Sequence, residues 1–565
     1  RTVIELLKAE QVRHVFGIVG STFLDVLDVL YDDKSVEYIN VRHEQGAAFM
    51  ADGLARVSGL PGACLVTAGP GATNLVTGMA AAHVAHSPVI AIAGGPPSGH
   101  YHKDAFQDFD LVSLFEPVTK LSMRIDSAAR IPELFRLAFR TAMTGRKGPV
   151  FIDIPRDVLN NQVVTTEVGD PAAYRPLHAP PPHPEAIAEA VRVLRDARRP
   201  LMLVGGGVTW AAAHTLVQQL SSEYGLPTIT AYGRNDAVPN DDRLYIGPLG
   251  RAGSAEAAAA CKRADVLLVV GSRLGNFTTF YDDRYIQPSA RIVQIDIDAR
   301  DLGRTYPVAV AIQADAGLAL EALHRGLHRA GMARTTEEWR TEIDELRGKR
   351  QARLAAERRL SSLPLKPQRV YAELRPALPP ETIVTLDAGA APAYGYDRLH
   401  FSRPRTFLTP LDLGGLGFAF PEALGAKLAR PETPVLAIHG DGGFLMNVQE
   451  LETAVRHRIN AVTLVMNNNA WGSEKAYQKH FYDGRYVGAD ITNPRFDQLA
   501  ELFGARGYYV EAADQIGDVV RAALGGGKPA VIEIPIDPDE FPVPATAGFV
   551  GRGASKGPPS PPSAR

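Results

Sequence analysis

Short apolar runs recur along this chain, each followed by a polar or glycine-rich break and a longer stretch of helical periodicity. Such runs occupy residues 63–67, 89–93 and 150–154, then 201–204, 266–270 and 291–295, and later 435–439 and 461–466. Runs of this length, bounded by turn residues, predict strands buried on both faces. Their alternation with helical stretches, among them 46–57, 421–429 and 448–457, predicts α/β architecture with parallel sheets. The pattern divides into three doubly wound parallel-sheet blocks, 1–161, 185–329 and 366–542. The proline-rich stretch 180–184 reads as a stiff extended linker. The charged stretch 335–359 reads as a solvated helical connector. Residues 543–565 read as a flexible tail, because 551–565 are rich in Gly, Pro and Ser.

Composition narrows the class. The chain has 565 residues, enough for about three to four domains of roughly 150 residues. A hydrophobic content of 45% fills ordinary cores, and a net charge of −3 with scattered Lys and Arg argues against nucleic-acid or membrane-surface partners. No apolar run reaches the roughly 18 residues of a membrane span. No signal peptide is visible, and a cytoplasmic setting is expected. The chain starts without Met, inside a helix-like pattern, which leaves its natural N-terminus open. The two cysteines, Cys64 and Cys261, sit in or beside apolar segments and are expected as buried free thiols.

The strongest chemical signal is Gly440-Asp441-Gly442-Gly443 after one apolar run, with Asn467-Asn468-Asn469 after the next. In open α/β sheets, ligands bind beyond the carboxyl ends of strands. A carboxylate and an amide oxygen at neighbouring strand ends suit a hard cation such as Mg²⁺, which is held by few protein oxygens plus substrate phosphates. Either motif alone would be ordinary turn chemistry. A second carboxylate, Glu44, stands at a strand-to-helix junction within Arg42-His43-Glu44-Gln45. By itself it could simply favour the helix dipole. A third segment, Leu413-Gly414-Gly415-Leu416-Gly417-Phe418, could bring backbone close to a ligand with Leu416 as an apolar wedge, or be a plain turn.

Together these segments resemble the thiamine diphosphate-dependent acetolactate synthase-like superfamily, over about residues 1–535. The resemblance implies a pyrimidine-binding first domain, a central domain and a diphosphate-binding third domain. It implies Mg²⁺ held by Asp441, the Asn468 side chain and the Ala470 carbonyl, with Asn467 as the alternative in the triple Asn. Gly440, Gly442 and Gly443 would belong to the same cofactor loop, and Gly414 and Leu416 would face the pyrimidine. Glu44, followed by residues 47–56 that match the family's helix, would hydrogen-bond the aminopyrimidine ring and promote loss of the thiazolium C2 proton. Residues 67–74 resemble the family's Gly-Pro-Gly turn. Gln107 and Lys120 match residues near the substrate entrance. The family also implies a homodimer or homotetramer, with Glu44 supplied across the interface. Some relatives bind FAD or ADP in the central domain. Here Gly205-Gly206-Gly207 lacks dinucleotide spacing, and Asp298 is expected to cap the helix beginning at Arg300.

Three segments look closer to sulfoacetaldehyde acetyltransferase: residues 85–89 with 114–120, residues 246–250 through 271–275, and residues 404–410 joined to Trp471-Gly472-Ser473-Glu474-Lys475 and Phe481-Tyr482. The implied substrate is a small carbonyl compound. Acetolactate synthase-type carboligation and 2-hydroxyacyl-CoA lysis are the alternatives. On a helix over 471–480, Glu474 and Lys475 cannot both point inward. Glu474 would move a proton, whereas Lys475 would attract an anionic substrate. The loop Asp387-Ala-Gly-Ala-Ala391 lacks polar side chains for a diphosphate, which leaves that work to backbone amides.

Overall fold

The computed structural model describes residues 1–162 and 168–542, which form three six-stranded, all-parallel sheets. The expected flexible tail, 543–565, lies outside the described residues. The first sheet contains β1 (His14–Gly17), β2 (Glu37–Asn40), β3 (Gly62–Thr67), β4 (Val89–Gly95), β5 (Leu121–Arg124) and β6 (Val150–Pro155), in the order β2-β1-β3-β4-β6-β5. The second contains β7 (Pro200–Val204), β8 (Thr228–Thr230), β9 (Tyr245–Pro248), β10 (Val266–Val270), β11 (Arg291–Asp296) and β12 (Val310–Gln313), in the order β12-β11-β10-β7-β8-β9. The third contains β13 (Ile383–Leu386), β14 (Phe407–Leu408), β15 (Val435–Gly440), β16 (Val462–Asn467), β17 (Arg506–Tyr509) and β18 (Ala530–Pro535), in the order β14-β13-β15-β16-β18-β17.

The central strands are mostly apolar because helices cover both faces of each sheet. All seven residues of β4 and all six of β6 are buried. Each strand therefore delivers its following loop to the carboxyl edge of its sheet, where ligands bind in such folds. The expected α/β class and its three blocks follow this physics directly.

The 335–359 stretch is helical over Glu337–Ala356 but is not solvated throughout. Trp339, Ile343 and Leu346 are buried in the core of the second sheet. The Trp339 indole N–H donates to the Pro200 carbonyl at 2.9 Å. Their spacing is a helical stripe that the surrounding charges obscure. Asp298 accepts from the Arg300 N–H and caps a short 3₁₀ turn, as expected for an Asp at that place. Cys64 and Cys261 are free and buried. Among the described residues, no helix is long and apolar enough to cross a membrane.

The first and third sheets are joined through two helices, Glu44–Ser58 and Ala419–Ala429. Their backbones approach so closely that a Cβ on Gly53 would lie 2.2 Å from the Glu422 carbonyl oxygen. A Cβ on Gly425 would lie 1.9 Å from that of Met50. Arg56 threads this crossing, 3.3 Å from Glu422 Oε1 and 3.6 Å from Asp52 Oδ2. Burial holds the Asp52 and Glu422 carboxyls above the usual carboxylate range, opposed by the Arg56 guanidinium.

Candidate active site

The carboxyl ends of β15 and β16 bring the third block's candidates together. Asp441 opens the short helix Asp441–Leu445, where a carboxylate meets the positive end of the helix dipole. Asn467 and Asn468 turn opposite ways at the end of β16. The Asn467 amide donates to Glu533 Oε1 at 2.9 Å, on β18. Asn468 instead turns to Asp441. With its amide oxygen presented there, Oδ1 stands 3.1 Å from Asp441 Oδ1 and 3.2 Å from the Ala470 carbonyl oxygen; with the amide reversed, Nδ2 donates to both. In the first orientation three oxygens converge, which needs a cation between them. Octahedral Mg²⁺ with bonds of about 2.0–2.1 Å sets neighbouring ligands about 3 Å apart, so the donor set fits the ion. Burial pushes the Asp441 carboxyl up, against hydrogen bonds from Asn493 Nδ2 and the Ala470 N–H. Among the described residues, no group of three His, Cys, Asp or Glu side chains could hold a metal. One carboxylate with two neutral oxygens is the donor chemistry offered here.

A cavity of about 280 Å³ opens beside this cluster. Gly414, Leu416, Gly440, Asp441, Gly442, Gly443, Asn468, Ala470 and Glu474 all line it, together with the backbone of 387–391. A Cβ at Gly440 or Gly414 would meet nothing within 4 Å, so both leave open space for a ligand. The Asp387 side chain does not face that space. It accepts from the Gly417 and Phe418 N–H groups at 3.0 and 3.2 Å and lies 2.7 Å from His439 Nδ1. It thereby ties the Leu416 loop to the strand that carries Asp441.

Glu44 stands elsewhere. It is buried at the carboxyl edge of the first sheet, where Oε2 accepts from Asn74 Nδ2 at 2.9 Å. Gln107 is nearby, with Oε1 accepting from the Thr67 hydroxyl at 2.9 Å and φ at +62°. Neither lines the Asp441 cavity, whose walls come from the second and third sheets alone. Within one chain the candidates thus form two groups. Glu44, Asn74, Thr67 and Gln107 make one; Asp441, Asn468, Ala470, Leu416 and Glu474 make the other.

The choice between Glu474 and Lys475 is resolved by helix direction. The helix runs Gly472–Phe481. Glu474 lines the cavity, while Lys475 pairs with Asp490 at 2.8 Å and lies over the Tyr486 ring. Of the two alternatives, the one that turns Lys475 inward is therefore set aside. Lys120 is likewise spent on the carbonyls of Thr141 and Thr144, at the end of the helix Ile131–Met143. Sequence reasoning missed Asn493, which bridges Asp441, Asn467 and Asn469. It lies in an irregular segment just before Pro494, with no spacing signal. It also missed the Asp387–His439 pair and Arg251, which reaches the cavity from the second block.

A second cavity, of about 360 Å³, lies at the carboxyl edge of the second sheet, lined by Gly205, Gly206, Gly207 and Gly271 with Lys147, Arg234 and Arg273. Burial lowers the Lys147 ammonium to about 8. It faces Trp210 at 5.2 Å and has no carboxylate partner among the described residues.

Comparison with known proteins gives the lineage. Three family models match in succession: thiamine pyrophosphate enzyme, N-terminal TPP binding domain, over 1–114; central domain, over 187–323; and C-terminal TPP binding domain, over 387–534. A "Probable acetolactate synthase large subunit" of Methanocaldococcus jannaschii is 36% identical, over 95% of this chain and 92% of its own. A sulfoacetaldehyde acetyltransferase of Alcaligenes xylosoxydans xylosoxydans is 35% identical, over 94% and 92%. An acetolactate synthase large subunit of Haemophilus influenzae is 34% identical, over 95% and 94%. With its three parallel sheets and its match along nearly the whole chain, this protein belongs to the thiamine pyrophosphate-dependent enzymes.

Proposed function

We propose that the enzyme uses thiamine diphosphate and Mg²⁺ to break or form a bond next to a carbonyl carbon, with sulfoacetaldehyde and phosphate converted to acetyl phosphate and sulfite as the leading reaction. The observation that carries the cofactor reading is the convergence of the Asp441 carboxylate, the Asn468 amide and the Ala470 carbonyl beside a cavity that Glu474 also lines. When bound, thiamine diphosphate supplies a carbon acid that adds to carbonyls. The chain's own work is then to hold, orient and move protons. Asp441, Asn468 and the Ala470 carbonyl would hold the cation that binds the diphosphate. The backbone amides of 388–391 would face the diphosphate, because that loop offers no polar side chains. Leu416 would fill the bend between the rings, held by the Asp387 hydrogen bonds to Gly417 and Phe418.

Glu44 would hydrogen-bond the aminopyrimidine from a partner subunit. This is supported by its separation from the Asp441 cavity within one chain. It is also supported by exposed apolar side chains beside both groups: Phe106 and Phe109 next to Gln107, and Leu413 and Met446 next to the wedge loop and the Asp441 helix. The domains proposed are 1–161, 185–329 and 366–542, in at least a homodimer. Glu474 would pass a proton to the reacting carbon, since its carboxylate has no ion pair or hydrogen bond among the described residues and lines the cavity. Were an adenine nucleotide such as ADP or FAD to bind in the central domain, this cavity, with Lys147 over Trp210, would be the place, and titration calorimetry with each tests that.

The carboligase reading keeps support from the acetolactate synthases among the relatives. Assaying the purified enzyme, with cofactor and Mg²⁺, against sulfoacetaldehyde plus phosphate, pyruvate, and a 2-hydroxyacyl-CoA separates the readings. Acetyl phosphate and sulfite in equal amounts are expected. Acetolactate from pyruvate alone would move the assignment to the synthases. Glu474→Ala should lower kcat, whereas Lys475→Ala should leave it within about twofold, since exposed ion pairs contribute little.

A further inference from the structure

The cavity beside Asp441 collects several carboxylates and phenols but, among the described residues, a single cationic side chain: Arg251. It comes from the second block, on the loop after β9. That loop is fixed. The Arg251 N–H donates to the Phe277 carbonyl at 2.7 Å, and the Gly253 N–H donates to the Gly250 carbonyl at 2.9 Å. A side chain at Gly250 could not be accommodated, since its Cβ would lie 2.0 Å from the Phe277 carbonyl oxygen at φ +100°. The Arg251 guanidinium lies 4.7 Å from the centre of the Phe277 ring. Phe277 meets Tyr232 edge-on at 5.2 Å, and Tyr232 stacks on Tyr396 at 4.4 Å. All three rings line the cavity.

Arg251 thus rests on an aromatic shelf and has no carboxylate partner or side-chain hydrogen bond among the described residues. Two arginines that line the central cavity are by contrast committed: Arg273 pairs with Asp412 at 3.0 Å, and Arg146, from the first block, pairs with Asp301 at 2.8 Å. Arg251 also lines a smaller adjoining cavity of about 220 Å³, shared with Ser473 and Tyr477. It therefore stands at the neck between the cofactor cavity and its outer annex. A guanidinium held in place by stacking, with its donors unspent, is suited to a planar or tetrahedral oxyanion.

We propose that Arg251 recognises the anionic group of the substrate, a sulfonate or carboxylate one or two carbons from the carbonyl, and so takes the role that Lys475 cannot fill. The proposal rests on reading this cavity as the cofactor and substrate site. It places the anion at the neck and leaves the carbonyl carbon on the Glu474 side, with Tyr477 forming part of the wall between them. An uncharged carbonyl compound would lose this anchor.

The test uses the full-length enzyme loaded with thiamine diphosphate and Mg²⁺, titrated calorimetrically with ethanesulfonate and, separately, propionate, which cannot react. The wild type should bind at least one of them, and which one binds tells sulfonate from carboxylate. Arg251→Gln should weaken that binding by about 10- to 100-fold, the scale of a lost charge-assisted hydrogen bond. Arg251→Lys should fall between, because it keeps the charge without the fork. Thiamine diphosphate affinity should stay within about threefold in both variants, on the scale of a weak exposed contact. Equal anion binding by all three proteins, or none by the loaded wild type, overturns the proposal. So does a parallel loss of cofactor affinity, which would assign Arg251 to the diphosphate. A wild type that binds no thiamine diphosphate would defeat the cofactor reading itself, and the proposal with it.

Discussion

The first and third sheets share one strand order. Numbered within each block, both run 2-1-3-4-6-5, whereas the central sheet follows the other common order, 3-2-1-4-5-6. Matched positions in the two like sheets carry unlike chemistry. The break after the second strand holds Glu44 in the first block and the Leu416 loop in the third. The break after the third strand holds Ala68-Gly69-Pro70 in the first block and Asp441 in the third. The helices that follow the second strands, Glu44–Ser58 and Ala419–Ala429, pack on each other through Gly53 and Gly425. A repeated scaffold thus presents two carboxyl edges that differ in their side chains: a carboxylate beside an amide and a carbonyl at one, and Glu44 against Asn74 at the other.

That division can be broken from either side. Asp441→Ala removes the only carboxylate of the oxygen cluster and should cost at least about 100-fold in Mg²⁺-dependent thiamine diphosphate affinity, beyond what loss of a mere supporting partner costs. Titration of the variant with cofactor measures it, and unchanged affinity would refute the cation site. Glu44→Gln should act on rate instead. A loss of about 10²–10⁴-fold is expected from removing a general acid–base group, with cofactor affinity nearly kept. Exchange of the C2 proton followed by NMR is the direct readout, and wild-type exchange would remove Glu44 from its role.

The helix crossing offers a stability test. Gly425→Ala forces a Cβ into the Met50 carbonyl and should destabilise by about 3 kcal/mol. Gly348→Ala, on the open face of the helix Glu337–Ala356, should be neutral or stabilise by up to about 1 kcal/mol. Denaturant unfolding compares them.

A smaller effect concerns pH. Glu450 of the third block accepts from the Arg42 and His43 N–H groups of the first, at 3.2 and 3.0 Å. Burial raises its carboxyl to about 7, partly offset by those donors and the Thr453 hydroxyl. A carboxyl raised in the folded state binds a proton that the unfolded chain has already released. Its contribution is therefore greatest below the ordinary carboxylate range and is lost as pH rises through about 7. Relative to Glu450→Gln, the wild type should lose up to about 3 kcal/mol between pH 5 and 8. Parallel stability curves for the two proteins would contradict the raised value.

The sequence alone made the three parallel-sheet blocks legible, because fully buried strands read as unbroken apolar runs between glycine-rich breaks. The Asp441 cluster was legible for a related reason: its residues sit directly at strand ends, where local order fixes direction. Past β16 successive side chains alternate, so that Asn468 turns to Asp441 and Asn467 to Glu533. What stayed hidden depends on contacts between distant segments. Asn493 reaches Asp441 from a loop more than fifty residues away in sequence. Asp387 looks like a ligand-facing loop residue until its oxygens are found on Gly417, Phe418 and His439. Arg251 enters from another sheet altogether. The burial of Trp339 and Ile343 was masked by the charges around them.

The claim that the two carboxyl edges meet across a subunit interface has one direct test. Glu44→Ala and Asp441→Ala chains, each inactive alone, are denatured together, refolded and assayed with cofactor and Mg²⁺. If Glu44 serves its partner's Asp441 site, each mixed dimer keeps one intact site, and a random mixture should recover about a quarter of wild-type activity. Verified mixed dimers with no activity above either parent would contradict the account.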